Sequence, residues 1–314
     1  MIFFYPFIAS PKKGNVIKGM NHYLIALSFS CYTFQNFCRF AKIYYNEIMK
    51  SENYVIRGGK EGYDRLKILS TILETSTSKL FKRLGVAPGM RCLDVGCGSG
   101  DVTMLLAGCV KETGKVEGWD IDEYCLDAAR AESKKRGLEQ IEYRKIDIND
   151  FQGESKFDVV YARFLLSHLP DTAKVIQNLR DNVRPGGLLI LEDVDFKGHF
   201  CFPDYDAFKD YVYLYTKLIK LKGGNANIGI SLPRKLMDAH FTHVGQKVNN
   251  LCAMTGNIKL MAGLTLESIG DSLIENNLIT EYELKDLINR LRAFARHDNT
   301  LMSMPRIVQT WGFA

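Results

Sequence analysis

The residues best placed to do chemistry lie in Leu93-Asp94-Val95-Gly96-Cys97-Gly98-Ser99-Gly100-Asp101. A largely apolar run, Met90 to Val95, stops at three glycines on alternate positions. A new apolar pattern then begins with Val102, Met104, Leu105 and Leu106. This predicts a strand, a tight loop and a helix. Glycine lets a backbone turn sharply and come within contact distance of a ligand. A helix N-terminus adds outward-facing, unpaired N–H groups. A ligand is therefore expected to lie across Gly96 to Gly100. The dinucleotide fingerprint G-x-G-x-x-G needs a third glycine where this chain has Asp101, and an acid there would repel a pyrophosphate. The spacing present is G-x-G-x-G, with Asp94 two residues ahead of the first glycine.

Three further stretches place chemistry at strand ends. Lys115 to Trp119 reads as a strand that runs into Asp120, 20 residues after Gly100. A carboxylate there suits the vicinal hydroxyls of a ribose, while Asp122 reads as a solvated turn acid. Ile141 to Ile148 reads as a third strand and carries Asp147. Phe157 to Arg163 reads as a fourth, with Tyr161 within it. The turn Arg184-Pro185-Gly186-Gly187 then leads into a fifth, Leu188 to Glu192. Helices are expected between them, over Asp122 to Arg136 and Pro170 to Val183. The first stops at Gly137 and the second before Pro185. Strands alternating with helices imply a parallel sheet covered on both faces. Ligands of such sheets bind at the carboxyl ends of the strands. Asp94, Asp120, Asp147, Tyr161 and Glu192 are all expected there.

This set of motifs resembles the class I S-adenosylmethionine-dependent methyltransferase superfamily, in particular the methyltransferase domain of ubiquinone and menaquinone biosynthesis. The resemblance covers 54 to 314, with its specific motifs in 93 to 192. It implies an α/β, Rossmann-like, doubly wound seven-stranded sheet with an antiparallel last strand, and S-adenosyl-L-methionine as cofactor. It implies that Asp94 lies near the cationic methionine end, that Asp147 meets the adenine amino group and that Ile148 packs on the ring. Gly96, Gly98, Gly100, Asp120, Ile121, Tyr161 and Arg163 complete the expected cofactor-binding set. A segment before the first strand is expected to fold over the cofactor in this family. Here Tyr54-Val55-Ile56-Arg57-Gly58-Gly59 precedes a helix expected over Gly62 to Leu84. Tyr54 and Arg65 are its candidate contacts; a helix merely packed on the sheet is the alternative.

Methyl transfer from a sulfonium is an in-line displacement, so the protein must align donor and acceptor and exclude water. A general base helps only if the acceptor is a hydroxyl or a protonated amine. His168, Asp193 and His199 are the weak catalytic candidates, with Asp195 beside them. Glu192-Asp193-x-Asp195 reads either as a divalent-cation site or as a solvated loop, and the loop is preferred. His240-x-x-His243 lacks further zinc ligands nearby. No metal is expected. The tetrad Asn-Pro-Pro-Tyr, used in amino methylation of bases, is absent.

Beyond the fifth strand lie an aromatic helix over Tyr205 to Lys222, a helix over Ser231 to His240, and strands over Thr242 to Cys252 and Met302 to Phe313. Two insertions, 196–224 and 254–297, read as a helical cap enclosing an apolar cavity. Thr280-x-x-Glu283 in the second is a capping box. The domain is thus expected over 50–314, with 1–49 an N-terminal extension. Together with Lys50, that extension holds 12 of the chain's 35 aromatic residues and six basic side chains against one acid, Glu47. It reads as a membrane-surface or partner-binding segment, as a packed addition, or as upstream translation before a native start at Met49. The compositional break favours the last.

The remaining 264 residues carry 35 basic and 35 acidic groups. This balance argues against nucleic acid bound on a broad basic face. The longest apolar stretch is too short to span a bilayer. The eight scattered cysteines read as reduced core residues. The expectation is a cytoplasmic methyltransferase acting on a small, hydrophobic or aromatic molecule. The alternatives are methylation of a protein or RNA group, and a non-catalytic S-adenosylmethionine-binding protein. The pattern fixes no oligomeric state.

Overall fold

The computed structural model describes residues 59–151, 153 and 156–314. Tyr54 and the aromatic N-terminal segment lie outside the described residues. Helix α1 spans Gly59–Arg83, α2 Asp101–Val110, α3 Glu123–Lys135, α4 Thr172–Asn182, α5 Asp206–Leu221 and α6 Leu232–Asp238. Helices α7, Asn257–Ser268, α8, Gly270–Glu275, and α9, Glu281–Arg296, follow. The strands are β1 Arg91–Val95, β2 Lys115–Asp120, β3 Ile141–Lys145, β4 Phe157–Arg163 and β5 Val183–Asp195. After them come β6 Cys201–Phe202, β7 Thr242–Asn249, β8 Cys252–Ala253, β9 Leu301–Ser303 and β10 Arg306–Phe313.

Seven strands form one sheet in the order β3-β2-β1-β4-β5-β10-β7. Strands β1 to β5 pair in parallel, and β10 runs antiparallel to both β5 and β7. The chain reverses its strand order at β1, so a crevice opens beside the β1 and β4 carboxyl ends. Strand β1 is buried on both faces from Cys92 to Val95, as a central parallel strand requires. One face packs Leu93, Val95, Val160 and Leu189 under α4 and α6. The other packs Cys92, Val159, Tyr161 and Ile190 under α1 and α2.

A third cluster lies beyond the sheet. Leu69 and Leu73 of α1 meet Phe208, Tyr211 and Leu218 of α5, Met261 and Leu266 of α7, and Leu287 and Leu291 of α9. The helical cap is therefore built on α1. Its aromatic residues divide. Phe208, Tyr211 and Tyr215 are buried in this cluster, whereas Phe200, Phe202 and Tyr213 are exposed. The capping box at Thr280 is formed, with Thr280 and Glu283 each bonding the other's backbone N–H.

Two expected strands are interrupted. Met302 to Phe313 breaks at Pro305, which supplies no N–H to a ladder. Its first part, β9, joins β6 and β8 in a separate three-stranded antiparallel sheet. Thr242 to Cys252 likewise ends at Asn249, and Cys252 passes into that small sheet. Asp122 is not a solvated turn acid. It caps α3, accepting from the amides of Tyr124 and Cys125.

Candidate functional site

The loop after β1 is shaped by its glycines. Gly98 and Gly100 have φ of +49° and +72°, the left-handed region. A Cβ on Gly100 would stand 2.5 Å from Tyr143 Oη and 2.8 Å from Ala129 Cβ, so only glycine fits there. A Cβ on Gly98 would stand 3.1 Å from Leu66 of α1, and one on Gly96 3.2 Å from Leu165 after β4. The loop is thus cradled between α1 and the segment that follows β4. Leu66 and Leu165 carried no signal in the sequence beyond being apolar.

The two acids at the β1 and β2 ends are held differently. Asp94 is buried and accepts from Thr103 Oγ1 at 2.7 Å. Burial pushes its carboxyl up to about 7; the Thr103 hydroxyl and the Arg163 guanidinium pull against that shift. Such a carboxylate gains from a cation brought beside it. Asp120 takes the Gly98 amide on one oxygen at 2.7 Å and the Asp122 amide on the other at 2.9 Å. Burial raises its pKa, while the amides of Asp122, Gly98 and Ile121 lower it. Ile121 is 44% exposed next to it, a large apolar side chain left open at the strand end.

Asp101, the acid that replaces the third dinucleotide glycine, is ion-paired with Lys67 of α1 at 2.7 Å and accepts from Ser99 Oγ at 2.5 Å. Asp147 takes the Asn149 amide and Asn149 Nδ2 at 2.8 and 2.9 Å. Ile148 is buried among core residues that include Leu93, Val95 and Trp119. Arg163 donates from Nη2 to Ser70 Oγ of α1 at 2.7 Å. It walls a groove of about 780 Å³ between α1 and α2 that also touches Lys67, Asp101 and Met104.

Tyr161 is a correction. It is fully buried, stacks edge-on against Phe81 at 5.2 Å and donates to Glu192 Oε2 at 2.9 Å. Both residues lie below the strand ends, on the sheet face covered by α1. Glu192 also accepts from Thr77 Oγ1 at 2.9 Å and Gln309 Nε2 at 2.5 Å. It is a hub that ties α1 to the sheet, facing away from Asp193. No three-residue metal-ligand group occurs among the described residues.

The remaining candidates stand on the other side of β5 and under the cap. Asp193 is buried and accepts from the Ser167 and Val194 amides at 3.1 and 2.8 Å. Burial raises it to about 6, against those amides. It therefore orients the loop that carries His168. Burial lowers the His168 imidazole to about 4, and the Arg65 guanidinium adds to the effect, so the ring is neutral at pH 7. His199 is lowered to about 3 by burial. Its Nε2 stands 2.9 Å from the Ser303 carbonyl, which can only accept, so Nε2 carries the proton. Its ring lies among Phe196, Phe208 and Tyr211. His199 is thus a cap residue, whereas His168 ends the short turn after β4, three residues beyond the Leu165 that stands beside Gly96.

The comparisons with known proteins agree with this arrangement. Residues 87–228 match the family model of a methyltransferase domain. Demethylmenaquinone methyltransferase of Bacillus cytotoxicus is 29% identical over 162 residues, and that of Bacillus cereus 31%. Each match takes in 50% of this chain and 66% of the relative, so the chain spans a little under two thirds of their length. Among solved structures, a candidate methyltransferase from Bacillus halodurans is similar with a TM-score of 0.50 and 22% identity, covering 76% of this chain and 98% of that one. The YcgJ protein of Bacillus subtilis has the same TM-score and coverage at 14% identity. These two share the fold. With its glycine loop and strand-end acids carried in residues 87–228, the chain is similar over that segment to class I S-adenosylmethionine-dependent methyltransferases.

Proposed function

We propose that this protein transfers a methyl group from S-adenosylmethionine to a small, hydrophobic or aromatic acceptor. The observation that carries the reading is the crevice itself. A buried carboxylate with a raised pKa, Asp94, and a ribose-suited carboxylate, Asp120, flank one glycine loop at the β1 and β2 carboxyl ends. The fit to the cofactor is chemical. Asp94 suits a cationic methionine end, Asp120 accepts from vicinal hydroxyls, and Ile121 offers an apolar face to a flat ring. Asp147 is the candidate partner of the adenine amino group.

The cofactor, when bound, supplies an electrophilic methyl on a sulfonium. The chain's part is to position and to exclude water. Leu66 and Leu165 close over the glycine loop from two sides. The cap on α1 bounds the acceptor side, with His168 offering a neutral imidazole that can accept a hydrogen bond from an acceptor hydroxyl, its lowered pKa making it a weak base. The relatives' name makes demethylmenaquinone the first acceptor to try.

The test has two parts. S-adenosylhomocysteine should bind by calorimetry and NAD much more weakly; tighter NAD binding sinks the reading. Radiolabelled methyl transfer is then screened against metabolite, protein and RNA fractions. Label in macromolecules alone replaces the small-molecule reading, and binding with no transfer anywhere makes this a cofactor-binding protein.

A further inference from the structure

Helix α1 presents two different rows of side chains. Leu66, Lys67 and Ser70 face the cofactor side, touching Gly98, Asp101 and Arg163 in turn. Arg65, expected with Tyr54 to contact the cofactor, instead begins the other row, one position earlier and about 100° around the helix, and reaches the cap. Leu69 and Leu73, which continue that row, sit in the cap core. Arg65 is 8% exposed, and among the described residues no carboxylate pairs with it. Its Nε reaches Thr265 Oγ1 of α7 at 3.4 Å, a long hydrogen bond. Burial raises the Tyr211 phenol; the Thr265 hydroxyl and the Arg65 guanidinium oppose that shift. The same guanidinium acts on His168. A buried cation facing two hydroxyls and a neutral imidazole is a charge awaiting an anion.

We infer that Arg65, with Thr265 and Tyr211, forms an anion-holding subsite between α1 and the cap that takes an acidic group of the methyl acceptor. The inference rests on the methyl-transfer reading for the word acceptor, and on geometry for the site. Several features separate this subsite from the cofactor loop. Its partners come from α5 and α7 of the cap, and the α1 residues that meet the glycine loop are Leu66 and Lys67. A carboxylate, a phenolate or a phosphate ester would each satisfy the guanidinium, and the planar fork favours the bidentate carboxylate. Thr265 Oγ1 accepts from Arg65 and is hydrogen-bonded to Tyr211, and both hydroxyls would turn from that contact to donate to the same group.

Benzoate and its neutral isostere benzamide are the probes, titrated into the full chain with and without saturating S-adenosylhomocysteine. Benzoate is expected to bind at least about tenfold more tightly than benzamide in either condition. Arg65→Gln should abolish that preference and Arg65→Lys retain part of it. Both variants should keep their affinity for S-adenosylhomocysteine within about threefold. Thermal melting of both variants identifies a folding defect, and the lysine variant, which keeps the charge, then decides. Equal binding of the two probes by the unaltered protein overturns the subsite. A loss of about tenfold or more in S-adenosylhomocysteine affinity on Arg65→Gln also overturns it, because the anion is then the cofactor's own carboxylate. Failure of S-adenosylhomocysteine to bind the unaltered protein at all strikes the methyl-transfer reading instead and leaves the benzoate comparison readable.

Discussion

The Gly98 amide donates to Asp120 Oδ2 at 2.7 Å, so the acid placed to hold a ribose also fixes the turn on which the ligand would rest. Its other oxygen takes the Asp122 amide and so starts α3. Asp120→Ala removes ligand contact and loop anchor together. Hydrogen bonds to a charged group contribute about 1.5–3 kcal/mol, so S-adenosylhomocysteine should bind roughly ten- to over a hundredfold more weakly. Asp120→Asn keeps an acceptor for one amide and should lose less. Calorimetry on both variants, with melting curves alongside, checks the order; unchanged affinity in Asp120→Ala places the ribose elsewhere.

Asp94 predicts a pH dependence. Its folded value of about 7 lies above the ordinary 3.8 because the carboxylate is buried. The folded chain therefore holds this proton longer than the unfolded chain. Its contribution to stability is largest at low pH and falls as pH rises through this window. Binding of a ligand's ammonium group beside Asp94 runs the other way, since it needs the carboxylate. Affinity for S-adenosylhomocysteine should rise between about pH 5.5 and about pH 8, with protons released on binding. Thr103→Val deletes a donor that lowers this pKa, and should move the midpoint upward. Calorimetry in two buffers of different ionisation heat counts the protons; a flat profile removes Asp94 from the cation's contacts.

Gly100→Ala tests the loop's packing. The new methyl meets Tyr143 and Ala129 well inside contact distance, on a backbone with φ of +72°. Overpacking costs about 1–3 kcal/mol, and a left-handed non-glycine residue about 1–2 kcal/mol more. Denaturant unfolding should show a loss in that range. Tyr143→Phe in the same background should recover part of it, because the nearest atom is the Tyr143 hydroxyl oxygen, itself 2.9 Å from Ser133 Oγ.

Much of this site was legible because its signals are local. A run of apolar residues ending at glycine or at an acid marks a strand end, and that placed Asp94 and Asp120 correctly on β1 and β2. Tyr161 and Glu192 were misplaced for a physical reason. In a parallel strand buried on both faces, the sequence does not alternate between polar and apolar, so it does not say which face a residue takes. One step along β5 separates Glu192, under α1, from Asp193, which holds the Ser167 loop. The small sheet of β6, β8 and β9 escaped notice because strands of two or three residues are too short to show a period. The two-faced role of α1 was hidden for another reason. Leu66 and Leu69 are both leucines in one helical stripe, and only packing shows that one meets Gly98 and the other the cap.

The corrected place of Glu192 can itself be tested. This carboxylate is 1% exposed and accepts from Thr77, Tyr161 and Gln309, with no cation among those partners. In Glu192→Gln the side chain gains two donors and keeps one acceptor, so at least one buried donor is left facing another. An unpaired buried polar group costs about 1–3 kcal/mol. Unfolding in denaturant should show that loss, and Tyr161→Phe in the same background should lessen it by removing one of the competing donors. The network ties the middle of α1 to β5 and β10, beneath the strand ends. Affinity for S-adenosylhomocysteine, measured well below the melting temperature, should therefore stay within about threefold of the unaltered protein. A collapse of that affinity with stability intact would put Tyr161 back among the cofactor's contacts, where it was expected, and bring Glu192 with it.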